Sequence, residues 1–268
     1  MQWQEQRCLL TGASGGIGKA IARSLAEKGV ELILVGRDKA RLERLLSSLP
    51  GDHHLVEADL TLAQGRDALM DEIHRLGGIT MLVNNAGITE LALLHHSSES
   101  MLEQTLATNL LAPMQLTRRL LPQLLRLPEA TIVNVGSAFG SIGFAGQTAY
   151  CASKFGLRGF TEALYRELAD TQVKVFYLAP RATDTDINTD VAVAMNQQLG
   201  NQVDHPDVVA KALITQLETG KSRMYIGFPE KLFVRINGMF PGLVDNALLK
   251  KLPIIKRLIN QNRQEVLI

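Results

Sequence analysis

The stretch Cys8-Leu9-Leu10-Thr11-Gly12-Ala13-Ser14-Gly15-Gly16-Ile17-Gly18 decides how this chain is expected to fold. Its first three residues are apolar and predict a buried strand. From Ile17 onward, residues that can pack recur at the spacing of a helix, at Ala20, Ile21, Ser24 and Leu25. A strand therefore runs through a glycine-rich turn directly into a helix.

The glycine-rich turn between this strand and helix has the form of a phosphate-binding site. Glycines let the backbone turn tightly and approach a pyrophosphate, whose negative charge the N-terminus of the helix attracts. A structural turn is the simpler explanation of glycines alone, but the strand before and the helix after favour a dinucleotide site. The predicted cofactor-binding residues of this turn are Gly12, Ser14, Gly16, Ile17 and Gly18, with the Ser14 hydroxyl as an added donor.

The alternation of apolar strand and helix continues along the chain. Strands are predicted at 8–10, 31–35, 54–58, 81–83, 131–135, 173–178 and 223–226, and long helices at 102–127 and 150–169. Pro113 and Pro122 are expected to kink or interrupt the first long helix. Apolar strands separated by helices predict a parallel sheet covered on both faces, and right-handed crossovers make it doubly wound. The predicted fold is α/β, a Rossmann-like single domain (1–228) with a C-terminal helical extension (229–268).

Length and composition limit the classes of function. The 268 residues fit one domain with a sizeable core, and 28 basic against 27 acidic residues give no overall field that favours nucleic acid. Two cysteines are too few for a disulfide framework, and Cys151 is expected to pack rather than react. Residues 1–7 lack an apolar signal segment, and no apolar run reaches the roughly 18 residues that span a bilayer. We expect a cytoplasmic protein that acts on small molecules and has no metal site.

The end of the second strand bears on the choice of cofactor. Where an NAD-binding protein commonly has an acidic residue for the ribose 2′-hydroxyl, about 20 positions after the glycines, this chain has Gly36 and then Arg37. An arginine pairs well with a 2′-phosphate, so NADP is favoured, although a solvated loop charge is the simpler explanation. Asp59, after the third strand, is either an acceptor for the adenine amino group or only a cap.

Tyr150 and Lys154 indicate proton-transfer chemistry. Residues four apart share one face of a helix, so the phenol and the ammonium group can point into one pocket. A free tyrosine has a pKa of about 10, and a nearby cation lowers it by favouring the phenolate. Ser137 precedes Tyr150 by thirteen positions. The pair is therefore a candidate proton donor and acceptor at a carbonyl or alcohol oxygen.

Taken together, these motifs resemble the short-chain dehydrogenase/reductase family in its short, single-domain form. The resemblance covers residues 7–228 and includes the run 84–87 (Asn-Asn-Ala-Gly) and the run 180–185. It implies that Tyr150 is the general acid and base, Ser137 orients the substrate oxygen, Lys154 lowers the tyrosine pKa and holds the nicotinamide ribose, and Asn109 supports a water-linked proton relay. It also implies further cofactor contacts from Asn85, Ala86, Gly87 and Thr185, and association into a homo-oligomer through the two long helices.

Each of these residues also has a simpler structural explanation, and one position departs from the family pattern. Ser137 could end a strand, Asn109 could be a polar kink, and Lys154 could be a surface lysine. The family commonly has Pro-Gly after the sixth strand, whereas this chain has Pro180-Arg181. Arg181 either contacts an anionic substrate group or points to solvent. The leading function is an NADP-dependent carbonyl or alcohol oxidoreductase, and the alternative is a non-catalytic NADP sensor or scaffold.

Two segments near the C-terminus bear on substrate and partners. The loop 186–203 carries Val191, Val193, Met195 and Leu199, which suggests an apolar lid over a partly hydrophobic or acyl-chain substrate. Residues 229–268 interleave apolar side chains with seven basic and three acidic ones. Such helices pack on the chain itself or on a partner subunit, roof the active site, or lie on an anionic membrane surface. Self or subunit packing is favoured, because apolar helices of soluble enzymes are more often core.

Overall fold

The computed structural model describes residues 2–266, and the side chains of residues 2–261. Met1, Leu267 and Ile268 belong to the segments 1–228 and 229–268 predicted above, and they lie outside the described residues. The side chains of Arg263 and Glu265, counted in the basic tail, are also outside them.

Within the described residues, seven parallel strands form one sheet in the order β3-β2-β1-β4-β5-β6-β7. The strands are β1 (Arg7–Thr11), β2 (Glu31–Gly36), β3 (His54–Glu57), β4 (Met81–Asn84), β5 (Ala130–Val135), β6 (Val173–Ala179) and β7 (Arg223–Tyr225). The order reverses between β1 and β4, which leaves a crevice beyond the carboxyl ends of these two strands. The predicted Rossmann-like, doubly wound sheet is confirmed.

Helices cover both faces of the sheet. They are α1 (Gly16–Glu27), α2 (Lys39–Leu46), α3 (Ala63–Arg75), α4 (Glu99–Leu106), α5 (Ala112–Leu124), α6 (Thr148–Glu167), α7 (Asp190–Gln198), α8 (Pro206–Thr219), α9 (Glu230–Met239), α10 (Pro241–Leu249) and α11 (Leu252–Val266). Successive strand residues face opposite sides, so Leu10 and Leu32 pack with α1, α2 and α8, whereas Leu9 and Ile33 pack with α3, α5 and α6. All four side chains are fully buried. No helix in the described part of the chain combines the length and the apolar character needed to cross a bilayer.

The helix predicted over 102–127 is divided into two. A π-helical turn, Ala107–Leu111, separates α4 from α5. Pro113 sits in the first turn of α5, where its missing N–H removes the bond that a regular α-helix would make to the carbonyl of Asn109. Pro122 lies inside α5. The interruption predicted from the prolines therefore occurs at Pro113, and it shapes the backbone around Asn109.

The C-terminal helical extension packs back onto the domain formed by residues 1–228. In α11, Ile255, Leu258 and Ile259 are buried against Met195 of α7. Val234 of α9 and Val244 of α10 are buried with Ile142, which follows β5. The extension thus packs on its own chain, as the favoured sequence interpretation held, and it also reaches the crevice.

Arg181 does not point to solvent, which was one of the two roles expected from the sequence, and its contact with an anionic substrate group stays a prediction. Its guanidinium group makes a two-pronged ion pair with Asp204 (2.9 and 2.7 Å) and contacts Glu230 at 3.1 Å. Only 12% of the side chain is exposed. The acidic partners come from distant parts of the chain, so their position was not visible in the sequence. Arg181 ties the loop after β6 to the loop before α8 and to the first turn of α9.

Arg181→Ala should destabilise the fold far more than loss of a surface ion pair. The substitution leaves two partly buried carboxylates without their cation, which costs about 2–4 kcal/mol in the free energy of unfolding. The matched control is Lys28→Ala, which removes an exposed ion pair with Glu218 and should cost less than about 1 kcal/mol. Urea unfolding of the two variants measures both values. Equal losses in the free energy of unfolding would show that the Arg181 ion pairs stabilise the fold no more than an exposed ion pair does.

Candidate active site

One cleft of about 680 Å³ lies at the carboxyl ends of the strands and collects most of the residues predicted from the sequence. Its walls include Gly12, Ser14, Gly16, Ile17, Gly18, Arg37, Asp59, Asn85, Ala86, Gly87, Ser137, Tyr150, Lys154 and Thr185. Asn109 is the predicted site residue that does not line the cleft, and it is fully buried behind the wall. Residues from positions 12 to 185 therefore meet in one space.

The glycines of the first turn are required by close backbone contacts. Gly12 has φ +63°, and a Cβ there would lie 2.7 Å from the Cα of Ala86. A Cβ on Gly16 would lie 2.7 Å from Cγ2 of Thr185. Contacts this short are not tolerated, so only glycine allows the turn to approach the segments after β4 and β6. The result is an open helix N-terminus at the cleft, suited to a phosphate group.

Hydrogen bonds lock the end of β1 to the segment after β4. The hydroxyl of Thr11 accepts bonds from the backbone N–H groups of Asn85 and Ala86, both at 3.0 Å. The side-chain amide of Asn85 donates back to the carbonyls of Thr11 and Gly12, at 3.0 and 3.1 Å. These four bonds fix the floor of the cleft where the strand order reverses.

The end of the cleft beside β2 carries positive charge. Arg37 is exposed on its wall, and Gly36 leaves room for Ser14, whose Oγ would lie 3.2 Å from an added Cβ. Burial raises the pKa of Asp59, but hydrogen bonds from Thr61 and the charge of Arg37 outweigh it, so the net pKa is lowered and the group is a carboxylate. That carboxylate is an acceptor, as the adenine hypothesis requires.

Arg41 is a residue of this wall that the sequence analysis missed. It lines the cleft near Arg37 from the first turn of α2 and forms an ion pair with Asp186, which also lies 4.0 Å from Lys19. A second arginine four residues after Arg37 was the signal that could have identified it.

Lys154 and Asn109 form the buried support of the other end of the cleft. The Lys154 ammonium group donates to the Val135 carbonyl at 3.0 Å, and burial lowers its pKa to about 8. Asn109 accepts a bond from the Ile88 N–H at 2.8 Å and donates to the Ile88 carbonyl and to the Ser153 hydroxyl. These bonds hold the segment after Gly87 against α6.

The pKa of Tyr150 differs in direction from the sequence expectation. Burial raises it, the Ser137 hydroxyl acts in the opposite direction, and Cys151 adds a smaller increase. The Lys154 ammonium group lies 5.8 Å from the centre of the tyrosine ring, and its hydrogen bond goes to Val135. Desolvation of the phenol therefore outweighs the hydrogen bond with Ser137, and Tyr150 is a protonated phenol at neutral pH.

Helices of the C-terminal extension line the cleft as well. Roofing of the active site is one of the roles that the sequence allows for this segment, although the sequence points to no particular residue. Phe233 of α9 and Leu248 of α10 lie on the wall, together with Lys251. Phe139 and Phe144, stacked at 4.8 Å, form an apolar patch near Tyr150. Apolar residues this far apart in the chain carry no local signal that they share a wall.

This combination of a doubly wound sheet, a glycine turn and a Tyr-Lys pair on the wall of the cleft defines a class of oxidoreductase, and comparison with known proteins agrees. Residues 6–196 match the family model described as short chain dehydrogenase. The chain is 37% identical over 217 residues to a 3-oxoacyl-[acyl-carrier-protein] reductase of Bos taurus, a span of 79% of this chain and 91% of that protein. The chain therefore belongs to the short-chain dehydrogenase/reductase family of oxidoreductases, as its motifs indicated.

Solved structures show the same fold. A short chain dehydrogenase/reductase from Burkholderia phymatum in complex with NAD superposes with a TM-score of 0.82 at 23% identity, covering 91% of this chain and 96% of that one. A short-chain dehydrogenase from Sphingobium yanoikuyae in complex with NADPH gives a TM-score of 0.76 at 25% identity, covering 90% and 95%.

Burial of Lys154 should make stability depend on pH in a defined window. The pKa falls from 10.5 in the unfolded chain to about 8 in the fold. Between these values the unfolded chain holds a proton that the folded one lacks, so stability rises with pH. Relative to Lys154→Met, the free energy of unfolding of the wild type should increase by about 3 kcal/mol from pH 7 to pH 10.5. Urea unfolding of both proteins across this range measures it, and a difference that stays constant with pH would contradict the burial of a charged ammonium group.

Proposed function

We propose that this protein is an NADP-dependent oxidoreductase that exchanges a hydride between nicotinamide and a carbonyl or alcohol substrate. The observation that carries the proposal is the single cleft with two different ends. A phosphate-suited glycine turn and Arg37 lie at one end, and Ser137, Tyr150 and Lys154 lie at the other. A dinucleotide laid along this cleft would bring its nicotinamide toward the phenol.

The residues of the cleft fit a nicotinamide dinucleotide. The space left by Gly12, Gly16 and Gly18 at the start of α1 suits the pyrophosphate, and the Asp59 carboxylate suits an amino group. Ser14, Ile17, Asn85, Ala86, Gly87 and Thr185 complete the proposed cofactor wall. When bound, the cofactor supplies or takes up the hydride. The solved relatives described above bind NAD in one case and NADPH in the other, which supports a nicotinamide cofactor of either kind.

The charge near β2 supports NADP over NAD. Arg37 is exposed at the cleft with no carboxylate in ion-pair contact among the described side chains, and Arg41 stands beside it. A guanidinium group makes charge-assisted hydrogen bonds with a phosphate. No acidic side chain occupies position 36, where it would repel a 2′-phosphate.

The proposed proton chemistry belongs to four residues. Tyr150, protonated at neutral pH, donates its proton to the substrate oxygen during reduction and takes it back during oxidation. Ser137 hydrogen-bonds the same oxygen and orients it. The Lys154 cation, fixed by Val135, favours the phenolate that forms. Asn109, whose backbone carbonyl lies in the π-helical turn, supports the relay that returns a proton to this end of the cleft.

The walls beyond Tyr150 support a hydrophobic or acyl-chain substrate. Phe139 and Phe144 of the segment between β5 and α6, Met195 of α7 and Phe233 of α9 face the cleft. Burial of a hydrocarbon chain against such side chains contributes roughly 25 cal/mol per Å². The Bos taurus relative, a 3-oxoacyl-[acyl-carrier-protein] reductase by name, is consistent with an acyl-like substrate.

Two further proposals concern assembly and location. Exposed apolar side chains on α4 to α6, namely Leu106, Leu111, Met114, Phe155 and Tyr165, support association into a homo-oligomer through these helices. A cytoplasmic location stays a prediction from the sequence.

Tyr150→Phe should abolish most turnover and leave cofactor binding intact. Loss of a general acid lowers kcat by about 100-fold or more, whereas the Kd for NADPH should change less than about twofold. Turnover is followed by NADPH absorbance on a panel of carbonyl compounds, and binding by NADPH fluorescence. The matched control is Tyr165→Phe, an exposed tyrosine on the same helix, which should behave as the wild type. Turnover near the wild-type value in Tyr150→Phe would refute the assignment, and NADPH binding by a wild type that turns over no substrate would favour the sensor alternative.

Arg37→Ala should weaken use of NADPH selectively. One charge-assisted contact is worth about 1.5–3 kcal/mol, so the KM for NADPH should rise roughly 10- to 100-fold while the KM for NADH changes little. Arg44→Ala, an exposed arginine further along α2, is the control and should change neither value. An equal effect on both cofactors, or none, would remove the basis for NADP preference.

A further inference from the structure

An exposed apolar surface lies on the outer side of α9 and α10. We define the hairpin surface as Phe228, Leu232, Met239, Phe240, Leu243 and Leu249. Met239, Phe228, Leu243 and Leu249 are 71, 70, 64 and 60% exposed, and they are the four most exposed large hydrophobic side chains among the described residues. A concentration of this kind within 22 residues marks an interaction site.

The inner side of the same helices is already occupied. Val234 and Val244 are buried against Ile142, and the side-chain amide of Asn237 donates to the Ser141 carbonyl at 2.8 Å. Glu230, at the start of α9, is held by Arg181. The helices are therefore fixed on the catalytic body, and the hairpin surface stays outward.

Cations without acidic partners accompany the hairpin surface. Lys231, Arg235 and Lys250 are exposed, and no carboxylate of the described side chains lies within ion-pair distance of them. Asp245 is the one exposed acidic side chain described on α9 and α10, because Glu230 is partly buried in its ion pair. A second copy meeting this surface through two-fold symmetry would bring these like charges together. An anionic partner is complementary to them.

We propose that the hairpin surface docks on an anionic lipid bilayer. Apolar side chains enter the boundary between headgroups and acyl chains while neighbouring lysines and arginines contact lipid phosphates. Phe233, Leu248 and Lys251 of the same segment line the cleft. Docking thus sets one wall of the cleft at the membrane, and a carbonyl or alcohol carried on a long hydrocarbon chain enters from the lipid. This substrate class rests on the oxidoreductase function proposed above.

Flotation of the full-length protein tests the docking step without any enzymatic readout. The probes are vesicles of phosphatidylcholine mixed in equal parts with phosphatidylglycerol, and vesicles of phosphatidylcholine alone. The wild type should float with the mixed vesicles and much less with the neutral ones. Met239→Ser/Phe240→Ser/Leu243→Ser should lower partitioning at least tenfold. Lys231→Glu/Arg235→Glu/Lys250→Glu should do the same on the mixed vesicles.

Matched controls remove exposed groups elsewhere. Leu62→Ser/Leu125→Ser/Val208→Ser takes away three other exposed apolar side chains, and Arg126→Glu/Lys211→Glu/Lys221→Glu reverses three other exposed cations. Both controls should float as the wild type does. Flotation that is equal on both vesicle types, absent in the wild type, or unchanged in both hairpin variants would overturn the proposal.

Activity and sedimentation separate this proposal from the others. The variant Met239→Ser/Phe240→Ser/Leu243→Ser should reduce a short, water-soluble carbonyl compound at the wild-type rate. Its rate on a long-chain carbonyl compound presented in vesicles should fall at least tenfold. Tyr150→Phe should float normally and reduce neither compound, so failure of the docking and failure of the function give different results. Membrane docking would be overturned, and the surface assigned to a second copy, if the wild type does not float and Met239→Ser/Phe240→Ser/Leu243→Ser sediments as a smaller species than the wild type.

Discussion

The close approach of the turn after β1 to the segment after β4 is the constraint on which the rest of the structure depends. A side chain at position 12 would stand 2.7 Å from the Cα of Ala86, and the Thr11 hydroxyl accepts two backbone N–H groups from across the gap. Any larger residue would force the strands apart where the strand order reverses. That contact fixes the start of α1 and the floor of the cleft. It also fixes the position of Gly87 beside the Asn109 side chain.

Burial sets the chemistry at the other end of the cleft. Lys154 donates a hydrogen bond to the Val135 carbonyl, and burial lowers its pKa to about 8. The same exclusion of water raises the pKa of the Tyr150 phenol. A protonated phenol can give up its proton, and an ammonium group whose pKa lies near neutral pH can stabilise the phenolate that is left. Placing charge in a dry site costs stability, and proton-transfer sites commonly accept that cost.

The C-terminal helices connect the cleft to the outside of the protein. Arg181 joins the loop after β6 to Asp204 and Glu230, so the start of α9 is anchored to the end of that strand. The inner sides of α9 and α10 help to form the cleft, and their outer sides carry the hairpin surface. A single short hairpin therefore contributes both to the proposed substrate site and to the proposed membrane contact.

The sequence by itself determined the parallel doubly wound sheet, the glycine turn at Gly12, the charge at Arg37 and the spacing of Tyr150 and Lys154. These features are local, because periodicity, glycine and a four-residue interval are readable wherever they occur. Tertiary structure alone decided the direction of the Tyr150 pKa, the partners of Arg181 and the wall formed by α9 and α10. Desolvation and pairing depend on which distant residues pack nearby: Asp204 and Glu230 are 23 and 49 positions from Arg181. No short stretch of sequence records that proximity.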